Sequence, residues 1–338
     1  MAKDDLYQEL YTSFRWQVPE YFNIGWECCG RWAEDRARFA LYYEDDAGCV
    51  EKYTYWDLQQ QANRLANALT SLGVRRGDRV ALVLPQSPQT IAAHVACYQM
   101  GAVAMPMSVL FGPEALEYRL HNSAAAAILI DRAALPNLAP ARENCPLLKH
   151  VVVIGDTSAR LAGQVDYDQL LHDQSREFTA VKTRAEDPAL LIYTSGTTGP
   201  PKGALKPHRV LIGNLSGFVA SQNWFPKPAD VFWSPADWAW TGGLMDALLP
   251  TLYFGQPIVA NMAKTRERFD AVKAYQLMDR YGVTNTFLFP TALKMMMKAV
   301  AEPRRQYNLK LRAIMSAGEA TGETVFNWAR EKLGVTIN

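Results

Sequence analysis

Residues 193–203 read Tyr-Thr-Ser-Gly-Thr-Thr-Gly-Pro-Pro-Lys-Gly and follow the apolar run 189–192, which predicts a buried strand. These eleven residues contain three glycines, four serine or threonine hydroxyls and one lysine. Gly196 and Gly199 permit backbone conformations in which several N–H groups point at one anion. Lys202 adds a positive charge on a flexible stem. The stretch therefore predicts a loop that binds phosphate groups.

Two other interpretations of this stretch can be weighed from its spacing. A Walker A loop needs Gly-Lys-Ser/Thr, whereas Lys202 lies between Pro201 and Gly203. A surface turn between a strand and a helix also explains a cluster of glycine, threonine and proline, but the order of residues here is more specific. With its strand, the stretch resembles the Thr-Ser-Gly-Thr-Thr-Gly-x-Pro-Lys-Gly signature of the AMP-forming acyl-CoA synthetases and other adenylate-forming enzymes.

The resemblance implies a reaction and a set of phosphate-binding residues. In such enzymes the loop holds the β- and γ-phosphates of ATP while a carboxylate attacks the α-phosphorus. An acyl adenylate and pyrophosphate result, and coenzyme A then accepts the acyl group. Because negative charge accumulates at the phosphorus and on pyrophosphate, N–H donors, a lysine and Mg²⁺ lower the barrier. The implied phosphate-binding residues are Thr194, Ser195, Gly196, Thr197, Thr198, Gly199 and Lys202, with Thr197 or Thr198 as candidate ligands of an Mg²⁺ held by the ATP phosphates.

A second group of residues, 237–243, predicts a pocket for the carboxylic acid. It combines two tryptophans with two adjacent glycines just before a helix. Aromatic faces give an acyl group a surface to pack on, and glycines let a ligand approach the main chain. Two core tryptophans beside a helix start are the alternative. The segment resembles the Ala-Asp-x-Gly-Trp region of acetyl- and medium-chain acyl-CoA synthetases, with Ala239 in place of the usual glycine, which implies an acyl pocket formed by Trp238, Trp240, Thr241, Gly242 and Gly243.

A third segment, 316–320, follows a predicted strand at 311–315 and precedes a predicted helix. Ligands of open α/β sheets bind at the carboxyl ends of the strands, although an acidic residue at a helix start needs no ligand. The segment resembles the Gly-Glu-Pro segment of the same enzymes, with alanine in place of proline. The resemblance implies adenine binding by Gly318, Glu319 and Ala320.

Two further features bear on the branch of the family. Residues 21–26, Tyr-Phe-Asn-Ile-Gly-Trp, resemble the Phe-Asn opening of the acetyl- and medium-chain branch. His208 falls where relatives carry a histidine after the phosphate loop, but an ordinary histidine at a helix start is the favoured explanation.

Composition excludes several other classes of protein. The 338 residues are 49% apolar with a formal net charge of +1, and no extended basic patch suggests nucleic acid. Five cysteines, an odd number without the paired spacing of a zinc site, predict reduced thiols. No run approaches the roughly 18 apolar residues of a membrane-spanning helix, and residues 1–9 carry charges in place of a signal peptide. The cytoplasm is therefore the expected compartment.

Alternating apolar strands and amphipathic helices predict an α/β fold with two doubly wound subdomains. Thr54 and Asp57 predict a capping box at the start of one amphipathic helix, Ser87 and Pro88 predict the start of the next, and a later helix is predicted at 266–281. The predicted strands are 79–84, 103–107, 126–130, 151–154, 189–192, 231–234, 257–260, 283–288 and 311–315. The predicted division is an amino-terminal extension at 1–52, a first subdomain at 53–186 and a second subdomain with the phosphate loop at 187–338. The stretch 156–187 loses its periodicity and is expected to be a connection.

The resemblance covers only the amino-terminal part of a typical adenylate-forming enzyme. We expect the carboxy-terminal domain with the main catalytic lysine, and the Tyr-Gly-x-Thr-Glu motif, to be absent from this chain. The parent protein is expected to activate a fatty or aromatic acid with ATP and to pass the acyl group to coenzyme A. Two alternatives remain open: transfer to a carrier-protein thiol, and a non-catalytic nucleotide-binding or scaffolding protein. The identity of the acid and the oligomeric state are not predicted.

Overall fold

Two β-sheets organise the chain in the computed structural model, which describes residues 3–45, 47–155, 163–194, 199–261 and 269–338. The strands of these residues are β1 (Phe39–Glu44), β2 (Val50–Thr54), β3 (Arg79–Val83), β4 (Val103–Pro106), β5 (Ala127–Asp131), β6 (His150–Ile154), β7 (Gln164–Asp166), β8 (Pro188–Thr194), β9 (Lys202–Pro207), β10 (Phe232–Trp233), β11 (Ile258–Asn261), β12 (Asn285–Phe287) and β13 (Ala313–Met315).

The helices of the described residues alternate with these strands. They are α1 (Lys3–Ser13), α2 (Tyr55–Ser71), α3 (Pro88–Gln99), α4 (Pro113–Ser123), α5 (Leu135–Ala141), α6 (Tyr167–His172), α7 (Val210–Ser221), α8 (Thr241–Gly243), α9 (Leu249–Tyr253), α10 (Ala271–Tyr281), α11 (Pro290–Ala299), α12 (Pro303–Gln306) and α13 (Glu323–Trp328). Turns with π-helical bonding at Trp26–Gly30, Leu244–Leu248 and Ala329–Leu333 complete them, and the second of these joins α8 to α9 in one continuous helix.

Helix starts follow the predicted capping chemistry. The Thr54 side chain accepts a hydrogen bond from the Asp57 backbone N–H while the Asp57 carboxylate accepts one from the Thr54 backbone N–H, a complete capping box for α2. Ser87 caps α3 in front of Pro88. Because these caps satisfy N–H groups that have no partner inside the helix, the helices begin where the sequence predicts.

The sheets confirm the predicted α/β class. The first sheet has the order β7-β6-β5-β3-β4-β8-β9, and only the β8–β9 pair is antiparallel. The second sheet has the order β13-β12-β10-β11-β1-β2, and only β1–β2 is antiparallel. Parallel strands joined by helical crossovers are the expected doubly wound arrangement.

Sheet membership does not follow the predicted unit boundaries at 52/53 and 186/187. The hairpin β8–β9, which carries the phosphate loop, extends the first sheet through β4, where Ala104 pairs with Leu190. Conversely β1, from the predicted extension, pairs with β11 in the second sheet, and β2, which crosses the 52/53 boundary, pairs with β1 at the edge of that sheet. Strand pairing depends on partners far along the chain, which local periodicity does not reveal.

The expected connection at 156–187 contains β7 and the short helix α6. Asp166 caps α6 by accepting from the Gln169 backbone N–H. The predicted helix at 266–281 is described only as α10, since 262–268 lie outside the described residues. All five cysteines are free, as the sequence predicts.

Candidate active site

The base of the predicted phosphate loop is the open end of the β8–β9 hairpin. Thr194 pairs with Lys202 across the two strands, so the loop leaves and returns at one point of the first sheet. Both side chains are exposed there. Gly199 has φ +92°, a conformation that favours glycine. Ser195, Gly196, Thr197 and Thr198 lie outside the described residues.

Both ends of this loop contact helix α4. The Tyr118 hydroxyl donates to the Pro201 carbonyl oxygen at 3.0 Å. On the other strand, the Tyr193 hydroxyl donates to the Asn122 side-chain oxygen at 2.6 Å. The two tyrosine rings meet edge to face, with centroids 6.3 Å apart. These loop-base contacts, made by Tyr118, Asn122, Tyr193 and Pro201, fix the loop's two ends relative to α4.

Arg119, the neighbour of Tyr118, is a buried cation that forms no ion pair among the described residues. Its side chain is 8% exposed, and one guanidinium nitrogen donates to the Ala115 carbonyl oxygen at 2.8 Å. The guanidinium lies 4.3 Å from the Phe111 ring centroid and 5.6 Å from that of Tyr193. Burial lowers the pKa of Arg119 from its usual value. The aromatic faces stabilise the charge in place of a carboxylate.

The same aromatic contacts lead to the predicted acyl pocket. Phe111 meets Trp240 edge to face, with ring centroids 5.7 Å apart. Trp240 is 44% exposed, whereas Trp238 is 1% exposed and its indole N–H has no hydrogen-bond partner among the residues that the structure describes. Trp240 can therefore contact a ligand, and Trp238 behaves as a core residue.

The two glycines of this segment pack closely against the protein itself. A methyl group on Gly242 would lie 2.7 Å from the Phe287 ring, and one on Gly243 would lie 2.2 Å from the Asp237 carbonyl oxygen. Gly243 is buried, while Thr241 is exposed and Gly242 partly so. Of the residues assigned to the acyl pocket, Trp240, Thr241 and Gly242 are thus the ones a ligand can reach.

Asp237 holds this segment against the first sheet. One carboxylate oxygen accepts from the Ser108 hydroxyl at 2.9 Å, and the other accepts from the Ala239 backbone N–H at 2.9 Å. Burial raises the pKa of Asp237, and the two hydrogen bonds oppose that rise. Since Ser108 follows β4, the contact joins the ends of strands from both sheets.

The predicted adenine segment lies at the carboxyl end of β13. Gly318 has φ +95°, and a methyl group there would contact the Phe289 ring at 3.5 Å. The Glu319 carboxylate accepts from the Thr291 hydroxyl at the start of α11, at 3.0 and 3.2 Å. Residues 317–320, including Ala320, are exposed, so the main chain here is accessible to a ligand.

Contacts between side chains connect the three predicted segments. The Phe287 and Phe289 rings, with centroids 5.1 Å apart, extend from Gly242 to Gly318 and so join the acyl and adenine segments. Phe111 and Arg119 join Trp240 to the base of the phosphate loop. The residues therefore line neighbouring carboxyl-terminal strand ends, where α/β folds bind ligands.

Sequence patterns missed Tyr118, Arg119 and Asp246. The last of these is a partly buried acid in the helix that follows Gly243. His208, by contrast, is fully buried, and its Nδ1 accepts from the Ile24 backbone N–H at 3.1 Å. Its contacts are structural. The described residues contain no group of three or more His, Cys, Asp or Glu residues suited to a metal ion.

Comparison with known proteins places this geometry in a family. The sequence model described as AMP-binding enzyme matches residues 30–338. The chain belongs to the AMP-binding enzyme family. This confirms the resemblance inferred from residues 193–203, and the fold agrees with the large domain of such enzymes.

Several members of the AMP-binding enzyme family are similar along nearly the whole chain. The acetyl-coenzyme A synthetase of Bacillus subtilis (strain 168) is 30% identical over 348 residues, covering 98% of this chain and 59% of the relative. That of Streptomyces coelicolor is 30% identical over 348 residues, with 95% and 52% covered.

Two solved structures share the fold. Acyl-CoA synthetase from Brucella canis has a TM-score of 0.88 at 29% identity, covering 98% of this chain and 60% of the other. The anthranilate CoA ligase AuaEII, solved with anthranoyl-AMP, has a TM-score of 0.84 at 25% identity, covering 95% and 60%. This chain thus spans between about half and three fifths of the length of these proteins.

In the described part of the chain, no helix combines the length and apolarity that crossing a bilayer requires.

Proposed function

We propose that the protein activates a carboxylic acid with ATP, forming an acyl adenylate and pyrophosphate, and then transfers the acyl group to coenzyme A with release of AMP. The main observation behind this proposal is that the base of the phosphate loop, Trp240 and the 318–320 segment lie at neighbouring strand ends. Membership of the AMP-binding enzyme family and the similarity to acetyl-CoA synthetases support it.

Each segment has a separate role in this proposal. Thr194, Gly199 and Lys202, with the rest of the loop, bind the ATP phosphates and stabilise the charge that develops on pyrophosphate. Gly318, Glu319 and Ala320 present accessible main chain to the adenine. Trp240, Thr241 and Gly242 pack against the acid. No single catalytic side chain is assigned within this chain.

Mg²⁺ accompanies ATP in such reactions as a Lewis acid. It prefers oxygen ligands and usually keeps phosphate oxygens and water among them. The described residues offer no acidic cluster for it, so we assign it no step here. Thr197 and Thr198 stay predicted ligands outside the described residues.

The acid proposed for this site is larger than acetate. Trp240 offers an exposed aromatic face, and the accessible residues beside it, Thr241 and Gly242, are small. A fatty or aromatic acid fits such a surface. The similar anthranilate CoA ligase AuaEII shows that this fold accommodates an aromatic acid.

The test is acid-dependent exchange of pyrophosphate into ATP, measured on the full-length gene product with short, medium-chain and aromatic acids. Lys202→Ala should lower the exchange rate about a hundredfold or more, because it removes charge stabilisation from the transition state. Lys206→Ala is the matched control, since Lys206 lies on the same face of β9 but roughly 13 Å further along the strand. It should change the rate less than about threefold, well below the effect of a lost transition-state contact.

The outcomes separate the alternatives. No exchange with any acid contradicts the proposal and favours a non-catalytic nucleotide-binding protein. Exchange without consumption of coenzyme A, but with acylation of a carrier-protein thiol, retains adenylation and changes the acceptor. Equal rates for the two lysine variants contradict the role of Lys202.

A further inference from the structure

The helix formed by α8, the π-helical turn and α9 carries one acidic residue at a place that a ligand can reach. Over residues 241–250, only Thr241, Gly242 and Asp246 are not buried. Gly242 and Asp246 are four residues apart, so they lie on one helix face about one turn from each other. Asp246 therefore lies on the helix face that carries Gly242, next to the segment proposed to contact the acid.

Two other elements surround the space beside Asp246. Gly242 contacts Phe287 at the carboxyl end of β12. The Asn214 amide of α7 donates to the carbonyl oxygen of Met245, the residue before Asp246. Asp246 thus follows a residue that α7 holds, in a helix that packs through Gly242 on the end of β12.

Among the described residues, no positive charge compensates that of Asp246. No basic side chain of the described residues forms an ion pair with it. Burial raises the pKa of Asp246 to about 6, against the opposing effect of the Asn214 hydrogen bond. A partly buried carboxylate with one amide partner retains lone pairs that another donor can fill, and leaving them unfilled is costly.

We propose that Asp246 is a specificity-determining residue that selects carboxylic acids bearing an amino or hydroxyl donor remote from the reacting carboxylate. This inference rests on the proposed function and defines its substrate class. The donor of the bound acid fills the free lone pairs of Asp246, while an apolar isostere desolvates the carboxylate without replacing its water. Sites that hydrogen-bond a substrate group discriminate strongly against analogues that lack it.

The experiment compares pairs of acids that differ only in the donor. Each isomer of aminobenzoate and hydroxybenzoate is assayed beside the methylbenzoate with the same substitution. An ω-amino fatty acid is assayed beside the fatty acid in which methyl replaces the ammonium group. The quantity is kcat/KM for the acid in pyrophosphate exchange by the full-length protein, and the ratio of donor to methyl acid reports the selection.

We expect the wild type to prefer the donor acid by about tenfold or more in at least one pair, the effect of about 1.4 kcal/mol. Asp246→Asn, which keeps the shape and removes the charge, should reduce that ratio about tenfold by lowering kcat/KM for the donor acid alone. Asp246→Leu should reverse the preference, so that the methyl acid has the higher kcat/KM. Asp168→Asn, an exposed acid on α6, is the control and should leave the ratio unchanged.

Three results would overturn the inference. A wild type that uses methyl acids as well as every donor acid contradicts it without any variant. An Asp246→Asn protein with an unchanged ratio shows that Asp246 only supports α7. Absence of exchange with all acids instead overturns the proposed function, and this inference with it.

Discussion

At the residue scale, the fold itself requires the glycines of the acyl segment, independently of any ligand. The sequence suggests that Gly242 and Gly243 let a ligand approach the main chain. In the structure, the closest neighbour of Gly243 is the Asp237 carbonyl oxygen, 2.2 Å from where a methyl group would stand. The turn that presents Trp240 can therefore close only over a residue without a side chain.

Gly243→Ala is expected to destabilise the protein by about 1–3 kcal/mol, the usual cost of overpacking. Gly213→Ala is the matched control, because Gly213 lies inside α7 with nothing within 4 Å of an added methyl group. It should be neutral or stabilising by up to about 1 kcal/mol. Urea unfolding of both variants measures these differences. Equal destabilisation would show that the close contact at Gly243 relaxes freely.

At the scale of single elements, α4 links the base of the proposed phosphate loop to the surface proposed to bind the acid. Its Tyr118 bonds the chain after the loop, its Asn122 bonds the strand before it, and its Arg119 lies between Phe111 and Tyr193. A helix outside the recognisable motif thus positions the loop's ends.

Tyr118→Phe tests this positioning, because it removes the hydrogen bond to Pro201 and keeps the ring contact with Tyr193. A hydrogen bond contributes about 0.5–1.5 kcal/mol, so the KM for ATP should rise roughly threefold to tenfold. The KM for the acid should stay unchanged. Steady-state exchange kinetics provide both constants.

Tyr307→Phe is the control for this variant, since it removes a hydroxyl from a ring that stacks on Tyr275 in the second sheet's layer. It should alter neither constant. A parallel rise of both KM values in Tyr118→Phe would indicate general loosening of the fold and would contradict a specific role for the loop-base contacts.

The elements also show how far the sequence is predictive. Strong periodicity and caps located α2 and α3 because those signals lie within the helices themselves. The strands β1, β2, β7 and β9 were missed because short strands with mixed burial acquire their identity from distant partners.

The candidate site, like the fold, is only partly predictable from the sequence. Residues 193–203 carry their chemistry in their order, so they are recognisable without a structure. In the sequence, Arg119 looks like an ordinary charged residue on an amphipathic helix. Asp246 looks like an acid in an apolar helix. Their roles depend on what surrounds them, which the sequence alone does not place.

At the scale of the whole molecule, buried polar groups join the amino-terminal segment to the first sheet. The Asn23 amide donates to the Tyr98 carbonyl oxygen at 2.8 Å, and the Ile24 N–H donates to His208 Nδ1. His94 Nδ1 lies 3.0 Å from the Tyr98 hydroxyl. Both histidines are buried, and burial lowers the pKa of His208 to about 4 and that of His94 to about 3.

These low pKa values predict acid sensitivity. Each histidine is neutral when folded but binds a proton near pH 6.5 when unfolded, so its contribution to stability is complete above pH 6.5 and is lost as the pH falls toward the folded pKa. Between pH 7.5 and pH 5, each should lower the free energy of unfolding by about 2 kcal/mol. Urea unfolding at several pH values in this range, above most carboxylate titrations, measures the slope.

His208→Asn isolates one of the two contributions, because the asparagine oxygen can accept the Ile24 N–H and cannot titrate. The variant can be less stable at every pH, but its loss of stability between pH 7.5 and pH 5 should be smaller than that of the wild type by about 2 kcal/mol. His172→Asn, at a side chain that is 81% exposed, should leave the slope unchanged. If His208→Asn and the wild type had the same slope, protonation of His208 would already occur in the folded state, and burial would not be holding the imidazole neutral.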